Sequence, residues 1–584
     1  MTLLWARDDW GLTYAYDKTR WRDRIPAPYL EAVGDFEVDG TPKSDSLVVL
    51  MPGLVENTLA VLGRSESSLD DFIQMDRASV VATEFIGDHN LDVFGHALTL
   101  EMDFSDLPVL GDVTFKSITA YRDLASTSRA ELDGSPVPVT DFGTLDKEQD
   151  QITQEFQLVG TSWNDRLDYV MGFYYFKEGG GNESKNVALD FTAAGFPDPF
   201  SEIFTEIEID NEAWAIYGQA TLADVLMPGL SLTLGARYTR ETRGFSVDRD
   251  EYRAVLGHQT GNCNPAEPDY DPNLCYSFEI QEEESYSNVS PMANISYQWN
   301  NDVMSYFRVA TGYQSGGFNG RAVSLGAANT PYDEQISIQY ELGAKTAWFD
   351  HRLVINASVF YTDNEDLQVA QFPFGSDSPN VGTVVQNAGE SHVQGAEIEL
   401  VGMPTANLEM YLNYAYLKGE FDSYIIGYDD INGDGVRDTP VDISDDTVFI
   451  QSPENSIGMG ARYTFGNFGF GTLWARVDAS WQDDIVFTGQ GEITTVNAPE
   501  LESGSKNART VNQQEAYTLI DASVTLEHIP LTNTGTFKVR LWGRNLTDEQ
   551  YRYASVDLLD QMGIAVAHYG DPRTYGVTLS YDFE

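Results

Sequence analysis

Along most of this chain, hydrophobic and polar residues alternate one for one. The runs are roughly 10 residues long, the length of a strand that crosses a membrane at a tilt. In LSLTLGARY, Leu230, Leu232, Leu234, Ala236 and Tyr238 share one face, and Ser231, Thr233, Gly235 and Arg237 share the other. RLDYVMGFYY aligns Leu167, Tyr169, Met171, Phe173 and Tyr175, and RLVINASVFY aligns Leu353, Ile355, Ala357, Val359 and Tyr361. The last run sets Tyr575, Val577, Leu579, Tyr581 and Phe583 against Thr574, Gly576, Thr578, Ser580 and Asp582. Successive side chains of a strand point to opposite faces, so each run has one apolar face and one small, polar or charged face.

A soluble sandwich alternates in the same way, and the connections separate the two. Short turns (SWNDR near 164, LMPGL near 228, WNND near 300, FDHR near 350, GMPTAN near 404) take turns with long stretches rich in Asp, Gly, Asn and Pro at 179–208, 246–282, 420–452 and 487–513. Transmembrane barrels have this asymmetry of short periplasmic turns and long extracellular loops. The pattern predicts an all-β fold, a transmembrane antiparallel β-barrel of about 19 strands. The first hairpin stands in the opening residues: Thr2 to Trp5, a turn at Arg7 to Asp9, then Trp10, Leu12, Tyr14 and Tyr16. Bacterial single-chain barrels have even strand numbers. Counting back from the last strand leaves Thr2–Trp5 without an upward partner, so part of the barrel is expected upstream of Met1.

Composition narrows the class. The formal net charge is −56, with 91 acids against 35 bases, which argues against nucleic-acid binding. A hydrophobic share of 42% and an aromatic share of 12% exclude a disordered acidic chain. No run of about 20 apolar residues forms a transmembrane helix. The nearest candidate, SLVVLMPGLVENTLAVLG from Ser46, is broken by Pro52-Gly53 and Glu56 and reads as a buried loop or short helix. No basic region followed by an apolar one precedes Trp5, so no secretory signal is encoded in these residues. Cys263 and Cys275, the only two cysteines, lie in the Pro-rich GNCNPAEPDYDPNLCY and are expected to form a local disulfide in an oxidising compartment.

Several motifs, in order, resemble the TonB-dependent outer-membrane receptors. They are SITAYRD (117–123), GYQSGGFNGR (312–321), YELGAKTAWFDHRLVINASVFYTDNEDLQV (340–369), NAGESHVQGAEIEL (387–400), LWGRNLTDEQYR (541–552) and GDPRTYGVTLSYDF (570–583). The resemblance extends from about residue 90 to the end. It implies importers with a barrel of about 22 strands and a plugged lumen, placed in the Gram-negative outer membrane. It implies a scarce solute as substrate, such as a ferric siderophore, vitamin B12 or an oligosaccharide, and the TonB complex as the partner that acts on the plug. On that frame residues 1–584 correspond to the barrel domain, with plug, TonB box, signal peptide and about three strands expected upstream. One departure is Glu584 after Phe583, since family members usually end on an aromatic residue.

The sharpest local motif is DINGDGVRD. Asp430, Asn432 and Asp434 fall at positions 1, 3 and 5 of a calcium loop, Gly435 at 6, the Val436 carbonyl at 7 and Asp438 at 9. Position 12 is Val441 rather than a bidentate Glu, with Asp442 adjacent, so the expected Ca2+ affinity is modest. The alternative is a solvated acidic turn. Lys116, Arg122, Arg237, Lys345, Arg476, Arg540 and Arg544 fall on the polar face, as do Asp168, Glu341 and Asp478, which predicts a mixed polar lumen wall. The acids are spread over every loop, which fits adaptation to salt better than a focused cation funnel. Acidic loops also favour divalent bridging to outer-membrane lipid phosphates.

No enzyme is expected. The seven histidines are scattered, and the serines of SLGAAN and GTSWN stand in no nucleophile elbow. The expected function is import of a small-molecule or metal-complex substrate. The alternatives are a plug-less porin-like diffusion pore and a structural or adhesive surface barrel. No substrate-binding residue is named by the sequence.

Overall fold

The computed structural model describes residues 1–7, 9–25, 28–33, 56, 58–60, 62, 64, 77, 83, 85–137, 139–188, 201–253, 277–322, 324–371, 384–429, 439–487, 512–532, 535–558 and 564–583. The strands form a meander: β1 (Thr2–Arg7), β2 (Trp10–Ile25), β3 (Gly87–Leu107), β4 (Gly111–Glu131), β5 (Thr140–Ser162), β6 (Leu167–Ala188), β7 (Ser201–Leu222), β8 (Leu230–Arg253), β9 (Phe278–Asn300), β10 (Val303–Gln314), β11 (Gln335–Trp348), β12 (Leu353–Gln371), β13 (Val384–Thr405), β14 (Leu408–Asp429), β15 (Asn455–Phe468), β16 (Gly471–Gln482), β17 (Tyr517–Thr532), β18 (Gly535–Arg544) and β19 (Thr574–Phe583). Each pairs with the next in one sheet of 20 strands. One of these, Thr439–Asp442, only extends the tip of β14, which leaves 19 in the wall.

The wall is turned inside out relative to a soluble protein. Leu234, Val289, Leu342 and Val359 are each more than half exposed, while Thr233 and Thr239 on the opposite face are buried. Cross-strand pairs such as Leu342 with Val359 and Tyr340 with Tyr361 make that outer surface continuous. Exposure of so much apolar area in one band suits lipid, not water. No helix among the described residues is long and apolar enough to cross a membrane. The short turns are tight. Trp163, Asn164 and Asp165 have φ of 56°, 56° and 62°, and Phe349, Asp350 and His351 have 57°, 57° and 61°. Asn and Asp adopt this left-handed region more readily than other non-glycine residues.

The long stretches differ from expectation. Strands β5 to β9 run 22 to 24 residues, about twice a membrane crossing. Much of 179–208 is therefore ladder: Gly179 pairs with Asp210 and Ala188 with Ser201. The 246–282 stretch begins and ends the same way, with Ser246 opposite Gln281. The outward apolar face stops where lipid stops, but the backbone ladder continues, with polar residues such as Glu206, Glu208 and Asp210 now on the outer face. Thr58 to Ala60 within the Ser46 stretch are helical and Leu59 is buried, in line with a short helix.

Among the described residues no ladder joins β19 to β1. The connections beside them do meet. Tyr29–Val33, after β2, pairs with Ile564–Tyr569, which pairs in turn with Arg552–Leu558 in the connection before β19.

Candidate functional site

At the end of the barrel opposite the short turns, the connection between β10 and β11 folds onto the inner wall. Gly316 and Gly317 permit the entry. A Cβ on Gly316 would lie 2.1 Å from the Tyr332 carbonyl oxygen and 2.5 Å from the Tyr286 ring. Phe318 then stacks on Phe245, with centroids 5.5 Å apart and planes at 7°. A short helix α1 (Leu325–Ala328), N-capped by Ser324, brings Ala322 and Ala328 against Phe245, Val247, Phe278 and Ile280. These wall residues lie at alternate positions of β8 and β9, beyond the membrane-crossing part of each strand, where the lumen-side face has become apolar.

Polar contacts fix the connection at both ends. Arg243 donates to Ser315 Oγ from Nη2 at 2.7 Å and to Glu241 at 2.6 Å, and Tyr313 Oη donates to the same Glu241 at 2.9 Å. Tyr286 Oη donates to the Tyr332 carbonyl at 3.1 Å. Across the mouth, Asn319 exchanges two hydrogen bonds with the backbone of Val385, at 3.1 and 2.6 Å. Gln368 Nε2 donates to the carbonyls of Ser315 and Asp333, at 3.0 and 2.9 Å. Burial first, then the charges of Glu284 and Asp333, push the Tyr286 hydroxyl up to about 12. Burial likewise raises Glu334, helped by Asp333 and Asp366. Deeper in the wall, Arg249 and Glu251 form an ion pair at 2.8 Å with almost no exposure.

The lumen wall below is mixed, as the sequence suggested, and three of its seven expected bases form ion pairs. Lys116 meets Glu101 at 2.7 Å, Arg122 meets Asp17 at 3.5 Å, and Arg476 meets Asp478 at 2.8 Å. Arg237 sits between the Tyr174 and Tyr217 rings, at 5.6 and 5.7 Å. Glu341 accepts from Tyr306 Oη.

A second cluster lies in the connection after β4. Asp133 accepts from Ser135 N and Oγ, at 3.0 and 2.5 Å, and from Val139 N and Thr140 N, both at 3.2 Å. Glu131 accepts from Asp133 N, Gly134 N and Thr83 Oγ1. Burial raises both carboxyls, and the Glu131 charge adds to the rise at Asp133.

Asp430, Asn432, Asp434, Val436 and Asp438 lie outside the described residues, as do Cys263 and Cys275. The described ladder on either side pairs Asp429 with Thr439. Asp442 Oδ1 accepts from Tyr424 N and Ser444 N, both at 2.9 Å, so it acts there as a backbone cap. Sequence reasoning missed Arg243, Asn319, Tyr286 and Tyr332. The double glycine of GYQSGGFNGR was the available signal, since adjacent glycines mark close backbone approach.

The family model for the TonB dependent receptor-like beta-barrel matches residues 64–546. Among solved structures, the chain is similar to the ferric yersiniabactin uptake receptor of Yersinia pestis, at 16% identity and a TM-score of 0.64, over 98% of this chain and 68% of that one. It is similar to the ferric-catecholate import receptor of E. coli K12 in its closed form, at 16% and 0.59, over 99% and 72%. It is also similar to a siderophore receptor of Acinetobacter baumannii, at 13% and 0.61, over 100% and 73%. At such identities the likeness is one of fold.

Proposed function

The chain belongs to the TonB-dependent receptor-like β-barrel family, and from that premise we propose that it serves as an outer-membrane receptor that captures a scarce solute, a ferric chelate foremost, at its outer mouth and releases it inward under TonB control. The observation that carries this is the connection between β10 and β11. Here Phe318 stacks on Phe245 and Arg243 bonds Ser315, so the loop stands fixed in the mouth where a solute would enter. The names of the similar structures, two ferric-chelate importers and a siderophore receptor, point to the same substrate class.

The test has two stages. Purified protein is titrated with ferric hydroxamate, catecholate and carboxylate chelates while tryptophan fluorescence is followed. One class is expected to bind at about micromolar Kd or tighter, and uptake of its radioactive iron should vanish in a host lacking TonB. Absence of binding by all three, together with steady single-channel conductance in planar bilayers, would replace this assignment with a diffusion pore.

A further inference from the structure

The outer face of β2 changes character along its length. Trp10, Leu12, Tyr14 and Tyr16 occupy alternate positions, and the same face continues as Lys18, Arg20, Arg22 and Arg24. Register with β3 fixes the side: Leu12 pairs with Leu100 and Tyr14 with Leu98, which is 42% exposed on the apolar band. Above them, Lys18 stands opposite Phe94, Arg20 opposite Asp92, Arg22 opposite Asn90 and Arg24 opposite Asp88.

The change falls at the membrane boundary. A tilted strand rises about 2.5 Å along the barrel axis per residue. Lys18 therefore stands roughly 20 Å and Arg20 roughly 25 Å above the Arg7–Trp10 turn, and the apolar band of such barrels is about 25 Å tall. An aromatic cluster marks the line. Tyr14 Oη lies 2.7 Å from His96 Nδ1, the Tyr16 and His96 rings are 5.0 Å apart, and Phe94 meets His96 edge-on at 6.0 Å. Tyr14, Tyr16, Phe94, His96 and Lys18 line an open recess at the foot of the cationic stripe.

Four cations at alternate positions repel one another unless anions intervene. Asp92 offsets part of this, bonding Arg20 Nε at 2.8 Å and Arg22 Nη2 at 2.5 Å. Those two guanidiniums remain open to the outside, with side chains 64% and 47% exposed. On β7 the same height is acidic, with Glu206, Glu208, Asp210 and Glu212 continuing the outer face of Ile216, and outward cations at that height elsewhere stand singly, as Lys177 on β6, Arg240 on β8 and Lys418 on β14. A positive stripe on a chain of charge −56 is a local exception with a defined place, at the level of lipid headgroups.

We propose that Lys18, Arg20, Arg22 and Arg24, with the aromatic recess below them, form a docking site for a phosphorylated glycolipid of the outer leaflet. The guanidiniums take the headgroup phosphates, bidentately where geometry allows. The recess takes the adjoining sugar or the start of an acyl chain. The site binds phosphate directly, whereas the acidic stripes elsewhere reach phosphate only through divalent ions. The inference rests on the membrane-barrel assignment, not on the identity of the transported solute.

The protein is reconstituted into nanodiscs of phosphatidylcholine doped with bis-phosphorylated lipid A, extracted gently, and its retained lipid counted by native mass spectrometry. The wild type should retain at least one lipid A per chain with chelator present, and about tenfold less after its phosphates are removed. The quadruple variant Lys18→Gln, Arg20→Gln, Arg22→Gln, Arg24→Gln should lose retention about tenfold while keeping its heat-modifiable electrophoretic mobility. Should that variant not fold, the wild type alone decides, since retention carried by the stripe must fall as salt rises from 0.1 to 0.5 M. Equal retention of intact and dephosphorylated lipid, or salt-independent retention, overturns the proposal. Failure to insert into nanodiscs would instead overturn the barrel assignment, and chelate titration on the same sample reports the transport assignment separately.

Discussion

Arg77 Nη2 donates to Asp548 Oδ1 at 2.8 Å, joining residues 471 positions apart in sequence. The same guanidinium donates from Nη1 to the carbonyls of Glu549 and Gly570, at 3.2 and 3.3 Å, and the Arg77 backbone N–H donates to Gln550 Oε1. Its side chain is 12% exposed. One residue from the connection after β2 thus fastens the connection before β19, beside the small sheet that Tyr29–Val33 shares with Ile564–Tyr569.

Arg77→Ala should therefore loosen this corner and leave the barrel standing. Amide hydrogen exchange at Ile564–Tyr569 is expected to rise about tenfold, with heat-modifiable mobility unchanged. Asp548 gives the same corner a pH dependence. The Arg573 backbone N–H and the Arg77 guanidinium hold its carboxyl below the ordinary range. Its contribution is present above the unfolded pKa and is lost as pH falls through the lower folded one, so the wild type should approach the variant's exchange in strong acid. Unchanged exchange in Arg77→Ala would remove the latch role.

The buried pair after β4 predicts the opposite sign. Burial and the Glu131 charge raise Asp133 above the ordinary carboxylate value of about 4. A raised acid favours the folded loop most when protonated. That stabilisation is complete below the unfolded pKa and declines as pH climbs toward the folded one. Exchange at Ser135, Val139 and Thr140, corrected for intrinsic rate, should increase from pH 4 to 7 in the wild type. Asp133→Asn cannot ionise and should flatten the profile, while losing the bonds that Oδ2 takes from Val139 and Thr140. A profile equally steep in both proteins would assign the dependence elsewhere.

The membrane-crossing half of each strand was legible because lipid imposes a rule that sequence can obey residue by residue. Leu230 to Tyr238 alternates since one face must be apolar and the other need not be. Above the membrane the outer face no longer meets lipid, so Gly179 to Ala188 carries no alternation although it is fully paired. The turns at 164 and 350 were legible through Asn and Asp, which tolerate positive φ. The mouth was not. Asn319 looks like any loop asparagine until the fold brings Val385 to it, 66 residues on. Lys18 to Arg24 stood in the sequence as an alternating basic run, and only the register with β3 gave that run a side and a height.

The DINGDGVRD segment makes a prediction that depends on its residues alone. We propose a calcium site formed by Asp430, Asn432, Asp434, the Val436 carbonyl and Asp438. With Val441 at position 12 the bidentate ligand is missing, so affinity should lie in the extracellular range, at a Kd of about 10⁻⁴ to 10⁻³ M. Terbium luminescence sensitised by nearby tyrosine should titrate and be displaced by calcium. Asp430→Asn with Asp434→Asn should abolish it. Luminescence equal in the double variant would leave 430–438 as a solvated acidic turn.

Asn319 tests whether the seated connection shapes the substrate site. Its amide satisfies both the N–H and the carbonyl of Val385 while the residue itself is buried. Asn319→Ala removes both bonds and leaves two half-buried backbone groups without that partner, a local cost of about 1 kcal/mol or more. Phe318 would still stack on Phe245, so the loop should stay near the wall but open more often. Protease cleavage within 320–330 should speed up roughly 10-fold or more, and the best ferric chelate should bind more weakly. Phe318→Ala removes the apolar half of the same anchorage and should act in the same direction. If either variant binds the chelate as tightly as the wild type while its loop is cleaved faster, then the connection between β10 and β11 is a structural brace, and substrate recognition lies on other loops of the mouth.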